Sequence, residues 1–192
     1  LTISTFFMVI LTTITNANAV YASGRFTGLG SENVTITDTG SSGDGNGAVV
    51  ADLNTLNGYT TGNVDASAIS FLEGTISALN TAYAAGSALG NGISGLGNET
   101  VTIDDTAVTA SDLNTLNDNT TGNIVATTAT SFTGTISDLN TLYAAAASSG
   151  NGVSGLGSEA VTVTDSSVSA SDLNTLNGNT SYNITVNATA IS

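Results

Sequence analysis

The amino-acid sequence predicts a mainly β fold made of stacked repeats. Three observations lead to this prediction. A phrase close to DLNTLN recurs along the 192 residues, short runs alternate branched apolar with polar residues, and glycine and asparagine turns separate them. Because units of this size bury their apolar sides against their neighbours, the expected architecture is a β-solenoid-like stack with short capped helices at its corners.

The DLNTLN-type phrase, called the box below, recurs with a measurable period. Its first leucine is 26, 34, 26 and 34 residues from the next along the chain, so a 60-residue double repeat holds two unequal coils. Glycine-rich inserts such as GNGISGLGNE lengthen the second coil. The repeat region is expected to cover residues 28–192, divided at approximately 28–94, 95–154 and 155–192. The box leucines are Leu53, Leu79, Leu113, Leu139 and Leu173.

Residues 1–27 form either a degenerate N-terminal repeat or an apolar assembly segment. The stretch MVILTTITNANAVYA aligns with SFLEGTISALNTAYA, which places Tyr21 opposite Tyr83. The same stretch also has the apolar region and small-residue cleavage site of a secretory signal peptide, although no positively charged residue precedes it. The apolar run is short and rich in threonine for a membrane span.

The elements of one repeat can be predicted in order. The runs ETVTI, AVTVT and NITVNATAI alternate apolar and polar residues and are expected to be half-buried strands. In the box, Thr109 and Asp112 have the spacing of a helix N-terminal signature. Leu113 and Leu116 then share one face of a helix that asparagine and glycine end after about two turns, with Asn114 on the outer face of the turn.

Composition argues against several classes of function. The chain has 15 Asp and Glu against one basic residue, Arg25, and a formal net charge of −14. A single arginine cannot supply the phosphate contacts that nucleic acids need, so no nucleic-acid partner is expected. The chain has no His, Lys or Cys to activate its many serine and threonine hydroxyls. We therefore expect neither enzyme activity nor a cofactor.

Acidic residues provide only weak candidates for a metal site. Asp104 and Asp105 form a pair at the end of a predicted strand, and Asp44 lies in the glycine-rich stretch GSSGDGNGA. A calcium loop needs several oxygen ligands and a distal bidentate glutamate, which that stretch lacks. Solvated turn residues are the favoured interpretation, and a separate ion site at Asp112 and Asn114 is disfavoured for the same reason.

Asparagine-x-Ser/Thr sequons are numerous for a chain of this length. They would carry glycans only if the protein is secreted by an organism that glycosylates such sites. The candidate acceptors are Asn33, Asn98, Asn119, Asn179, Asn183 and Asn187.

The two ends of the sequence are candidates for self-assembly. By the box alignment, Leu1 and Asn183 both correspond to Asn63, so the chain begins and ends in nearly the same phase of the repeat. Strand edges of matching phase can pair head to tail between copies. The apolar residues expected to take part are Phe6, Phe7, Val9, Ile10, Ile184 and Val186.

The phrases TASDLNTLN, TTGNIVATTATSFTGTISDLNTLYAAA and GLGSEAVTVTDSSVSASDLNTLNGNT resemble repeats of very large surface and secreted proteins of cyanobacteria and other marine bacteria, and of their phages. The resemblance covers nearly the whole chain from about Gly28. It implies a structural, extracellular or cell-surface segment and carries no catalytic residues. The expected function is that of a subunit or segment of a filament or surface fibre, assembling through terminal strands into a head-to-tail homopolymer. The alternative is an adhesin or phage tail-fibre module that binds surface glycans or a host receptor.

Overall fold

The structure, a computed structural model, describes residues 9–40, 48–86, 92–146 and 152–192. The chain divides into two compact units. The first comprises Leu1–Glu73 and Thr81–Gly97, and the second comprises Gly74–Asn80 and Asn98–Ser192. Each unit is built from short strands that alternate with helices of about three turns.

The described residues contain six helices of 9 to 11 residues. These are α1 (Ile14–Ala22), α2 (Val50–Tyr59), α3 (Ile76–Gly86), α4 (Ala110–Asn119), α5 (Ile136–Ala146) and α6 (Ala170–Asn179). The strands are β1 (Val9–Thr12), β2 (Asn33–Ile36), β3 (Ala48–Val49), β4 (Asn63–Asp65), β5 (Phe71–Gly74), β6 (Gly92–Ser94), β7 (Thr100–Ile103), β8 (Ala107–Thr109), β9 (Ile124–Val125), β10 (Ser131–Gly134), β11 (Val153–Ser154), β12 (Ala160–Val163), β13 (Ser167–Val168), β14 (Ile184–Val186) and β15 (Ala190–Ile191).

The box lies in the helices, and in α4 and α6 a hydroxyl caps the helix as the sequence predicts. The Thr109 side chain accepts a hydrogen bond from the backbone N–H of Asp112, and Ser169 does the same for Asp172. The acidic residue also lies in the first turn, where the helix dipole favours negative charge. The inward assignment of Leu113 is confirmed, because that side chain is fully buried.

Parallel strand pairing builds both units. In the first unit the strands β1, β2, β4 and β6 lie side by side in that order, and β3 pairs with β5. In the second unit one sheet has the order β14, β12, β10, β8. There β9 lies between β7 and β11, and β13 pairs with β15. Partners come from successive repeats because parallel strands need a crossover connection of a dozen or more residues.

The prediction of a mainly β, β-solenoid-like fold with helices confined to the corners is wrong. Among the described residues, 37% are helical and 27% are in strands, all the sheets are parallel, and the fold is mixed α/β. Two features of the sequence explain the difference. The strands are only two to four residues long, and the apolar spacing of ISDLNTLYAAA continues into alanines that favour helix, so α5 reaches 11 residues.

After two of the boxes, a glycine is required because two backbones approach closely. A Cβ at Gly122 would overlap the carbonyl group of Glu99, and a Cβ at Gly62 would overlap that of Glu32. The corresponding position after the last box is Tyr182, whose side chain is exposed. The backbones of neighbouring repeats are therefore in close contact at Gly62 and Gly122, and the turn after the last box has a tyrosine in place of this glycine.

Candidate assembly site

A ladder of asparagine side chains joins successive helices. The asparagine of the box donates a hydrogen bond from its Nδ2 to a backbone carbonyl oxygen near the start of the next helix in the chain. In every case the accepting residue is the aspartate that precedes the first leucine of the next box. The bonds run from Asn18 to Asp52 (3.0 Å), Asn80 to Asp112 (3.1 Å), Asn114 to Asp138 (3.0 Å) and Asn140 to Asp172 (3.2 Å).

This ladder corrects the position that the sequence suggested for Asn114. The residue lies within α4 and is half-buried against the next repeat, not on the outer face of a turn. The spacing of the residues did not predict the hydrogen bond from Asn114 to the next helix, because asparagine is also typical of turns. The regular recurrence of asparagine directly after the box leucine was the available signal.

At three of the ladder asparagines, the oxygen of the amide group is unused. The Oδ1 atoms of Asn18, Asn80 and Asn140 are buried and accept no hydrogen bond from the described residues. Because a buried acceptor without a donor costs free energy, each asparagine gives a modest net stabilisation. The directional Nδ2 bond sets the register between helices more than it adds stability.

The face of each helix that carries the ladder asparagine is called the donor face here. The leucine before the asparagine belongs to it and is fully buried in α2 to α5, at Leu53, Leu79, Leu113 and Leu139. In α6 the corresponding Leu173 is only half-buried. Asn174 and Ala170 are exposed there, although Ala110, the counterpart of Ala170 in α4, is fully buried. The donor face of α6 is therefore uncovered in this chain.

The opposite face, which supplies the carbonyl oxygen, is called the acceptor face. Within one helix, the residue two positions after the ladder asparagine is four residues after the accepting aspartate of that same helix. These two residues therefore share a face. The residue two positions after the asparagine is fully buried in every later helix, at Leu56, Ala82, Leu116, Leu142 and Leu176. In α1 the equivalent is Val20, which is 37% exposed, and Asn16, the counterpart of the accepting aspartate, is exposed too. The acceptor face of α1 is thus the complement of the donor face of α6.

A second set of contacts fixes the start of the odd-numbered helices. The Oδ2 atom of Asp105 accepts a hydrogen bond of 2.7 Å from the backbone N–H of Ile76, at the N-terminus of α3. In the same way, Asp38 accepts a hydrogen bond from the backbone N–H of Ile14 in α1, and Asp165 accepts one from that of Ile136 in α5. A carboxylate at this end satisfies an orphan N–H and is favoured by the helix dipole.

Glutamates after the glycine-rich inserts are buried and hydrogen-bonded. Burial disfavours the charged form of Glu32, but hydrogen bonds from the Tyr21 hydroxyl and from the backbone N–H groups of Gly30 and Ser31 hold its pKa below the usual range. Burial, followed by hydrogen bonding to Glu32 and its charge, raises the pKa of Tyr21 far above that of a free tyrosine.

The second unit contains the same pair of groups. The Tyr143 hydroxyl donates to Glu159 at 3.3 Å, and the backbone N–H groups of Gly157 and Ser158 donate to the same carboxylate. Burial, with the charge of Glu159, raises the pKa of Tyr143 to about 12. The sequence patterns did not predict these pairs, although both residue types recur at aligned positions, at Tyr21, Tyr83 and Tyr143 and at Glu32, Glu99 and Glu159.

The predicted assembly residues fall into three groups. Phe6 and Phe7 lie outside the described residues. Val9 and Ile10 belong to β1, an edge strand that pairs with β2 inside the chain. At the other end of the sequence, the predicted final strand is divided into β14 and β15. Ile184 and Val186 lie in β14, another edge strand, and are half-buried.

The structure describes two of the three metal candidates, Asp104 and Asp105. Asp105 caps α3, Asp104 is exposed, and Asp44 lies outside the described residues. In the parts of the chain that the structure describes, no three acidic side chains converge in a way that could hold a metal ion.

The sequon asparagines differ in accessibility. Asn33 is half-buried in β2 and accepts a hydrogen bond from the backbone N–H of Asn63, so it is poorly placed for modification. The other five acceptors are exposed: Asn98, Asn119, Asn179, Asn183 and Asn187.

A search of the described helices for a membrane-spanning segment finds none of sufficient length and apolarity. Comparison with known proteins adds no family to these observations. No protein-family model matches the chain, and no curated protein or solved structure is significantly similar to it.

Proposed function

We propose that this chain is a structural subunit or segment of an extracellular filament or surface fibre, whose copies join head to tail. The observation that carries the proposal is the pair of uncovered helix faces. The donor face of α6 and the acceptor face of α1 expose groups whose counterparts are buried between successive repeats elsewhere. Heterologous contacts of this kind generate open chains when the rotation between copies does not close a ring.

The apolar residues exposed near these faces also favour association. Val20 and Phe26 are exposed in the first unit, and Ile191 is exposed in the second. Burying apolar surface contributes about 25 cal/mol per Å², so covering several such side chains supports a stable contact. Backbone hydrogen bonds at the edge strands β1 and β14 add direction, as in strand addition.

The chemistry of the surface supports an extracellular or cell-surface location. The exposed residues are largely Ser, Thr, Asn and Gly, and the chain has no lysine. Trypsin-like proteases cleave after Lys or Arg, and Arg25 is the one such site in the sequence. Such a composition suits a structural protein that meets proteases and varying salt.

Sedimentation velocity of the purified chain tests the proposal. With a net charge of −14, copies repel each other at long range, and added salt screens that repulsion. We expect species much larger than a monomer, growing with protein concentration and with salt. A monomer over the whole range of concentration and salt would contradict the proposal.

A further inference from the structure

We infer that α1 of a second copy stacks on the donor face of α6, and that β1 of that copy replaces β15 on β13. This inference rests on the proposed self-assembly and specifies its joint. The partner is a second copy of this chain, because the uncovered surfaces reproduce the two halves of an interface that the chain already forms between its own repeats.

The helix contact follows from the ladder. Inside the second unit, Asn114 of α4 donates to the carbonyl oxygen of Asp138 in α5. Asn174 occupies the same position in α6 and is exposed. The matching acceptor in α1 is the backbone carbonyl of Asn16, two residues before its own ladder asparagine, Asn18. Stacking α1 on α6 gives Asn174 this acceptor in the same register.

The same movement covers two apolar side chains. Leu173 is half-buried on α6, whereas the preceding box leucines are fully buried. Val20 is 37% exposed on α1, whereas its counterparts in later helices are fully buried. A helix pair with the register of α4 and α5 places these two side chains in the joint, and both then reach the burial of their counterparts.

Phe26 provides an independent indication of a missing strand. The segments RFTGLGSE, GISGLGNE and GVSGLGSE align, so Phe26 corresponds to Ile93 and Val153. Those two residues are buried, and they pair with Val64 and Ile124 of the preceding repeat. Phe26 is 60% exposed.

The strand that Phe26 lacks is present at the outer edge of β14. Ile184 of β14 lies eleven residues after its box leucine, as Ile124 does. In the joint, Ile184 of one copy therefore lies opposite Phe26 of the next. The edge of β14 that does not face β12 is the one that this pairing uses.

Strand β15 holds the place that the joint requires for β1. Ala190 of β15 pairs with Ser167 of β13, in the register that joins Ser131 of β10 to Ala107 of β8. β10 leads directly into α5, and β1 leads in the same way into α1. β15 has two residues, both exposed, whereas β1 has four. Replacement therefore exchanges a two-residue strand for a four-residue strand that brings a helix with it.

Cross-linking tests the register of the joint. The chain has no native cysteine, so the double variant Asn16→Cys with Asn174→Cys can be treated with a short bis-maleimide. We expect a series of covalent oligomers from the double variant and none from either single variant. An intramolecular control, Asp172→Cys with Asn140→Cys, should cross-link within one chain and give no oligomers. Dimers from a single variant would indicate an isologous contact and overturn the inference.

Two further variants test the faces and the exchange. Val20→Asp should lose assembly. Val49→Asp should retain it, because it places the same charge on a valine that is 40% exposed and belongs to β3, a strand that the joint does not use. Deleting residues 188–192 removes β15 and should preserve or increase cross-linking in the double-cysteine background. Loss of oligomers on that deletion would show that β15 itself is the joint and would overturn strand replacement.

The two proposals fail in different ways. If the chain forms large particles but the double-cysteine variant does not cross-link between copies, the joint is wrong and self-assembly stands. If the chain remains monomeric at every concentration and salt, the proposed function fails together with the joint.

Discussion

At the scale of single residues, the leucine of the box packs in the core, and the asparagine beside it sets the register between helices. Leu113 fills the core, and Asn114 beside it holds the next helix through one hydrogen bond. Leu113→Ala should lower the free energy of unfolding by about 2–5 kcal/mol, because it removes buried methyl groups and leaves a cavity. Chemical denaturation measures this loss, and a change as small as that of an exposed leucine would contradict the packing.

Asn114→Ala should cost about 1 kcal/mol, because it removes the ladder bond and leaves the carbonyl group of Asp138 without that donor. The matched control is Asn174→Ala at the exposed end of the ladder, which should leave the unfolding free energy of the dissociated chain unchanged. Equal effects of the two substitutions in denaturation curves would show that the ladder does not contribute to stability.

The Tyr143 hydroxyl makes a pH-dependent contribution. Its folded-state pKa of about 12 lies above the unfolded value of 10.0, so its stabilising interaction is fully present below pH 10 and is lost as the pH rises through about 12. Tyr143→Phe should therefore be less stable than the native chain below pH 10, and the difference should shrink as the pH approaches 12. Denaturation curves at both pH values measure it. Tyr182→Phe, which alters an exposed tyrosine, is the matched control for loss of a hydroxyl group.

At the scale of elements, the caps and buried faces of the helices were predictable from the sequence, whereas the lengths of the helices and strands were not. The threonine and serine caps and the buried leucines were predictable, because capping chemistry and apolar spacing are local. The length of the helices was not predictable, since the apolar spacing did not show that the alanines after Leu142, which favour helix, extend α5. The short strands gain stability from parallel partners about 30 residues away, which no local pattern reveals.

The candidate site was only partly predictable for the same reason. The strands at the ends of the sequence were identified as assembly elements from their phase and apolar residues. The ladder and the buried Tyr143–Glu159 pair were missed, because each joins residues that lie far apart in sequence. Aligning the repeats and asking which polar residues recur would have identified both.

Close packing of the repeats predicts opposite effects for two glycines. Gly122→Ala should destabilise the second unit strongly, because the new Cβ would overlap the backbone carbonyl group of Glu99. Gly178→Ala lies in α6 with open space around it, and alanine there should increase stability by up to about 1 kcal/mol. Thermal melts of the two variants test this difference. Similar melting temperatures would show that the repeats are not in tight contact at Gly122.

At the scale of the whole molecule, no metal ion is needed for the contacts described between repeats. They rest on backbone pairing, buried apolar side chains and carboxylates that accept from backbone N–H groups. A chelator should therefore shift the melting temperature little relative to protein with added calcium. A shift of tens of degrees would indicate a cation site, with Asp44 the first residue to substitute.

Electron microscopy of the purified chain tests its proposed role as a filament subunit most directly. Images at moderate salt should show extended particles many copies long, and Val20→Asp should reduce them to single copies while Val49→Asp leaves them unchanged. Uniform single particles from the native chain, at concentrations and salt that favour association, would contradict head-to-tail assembly.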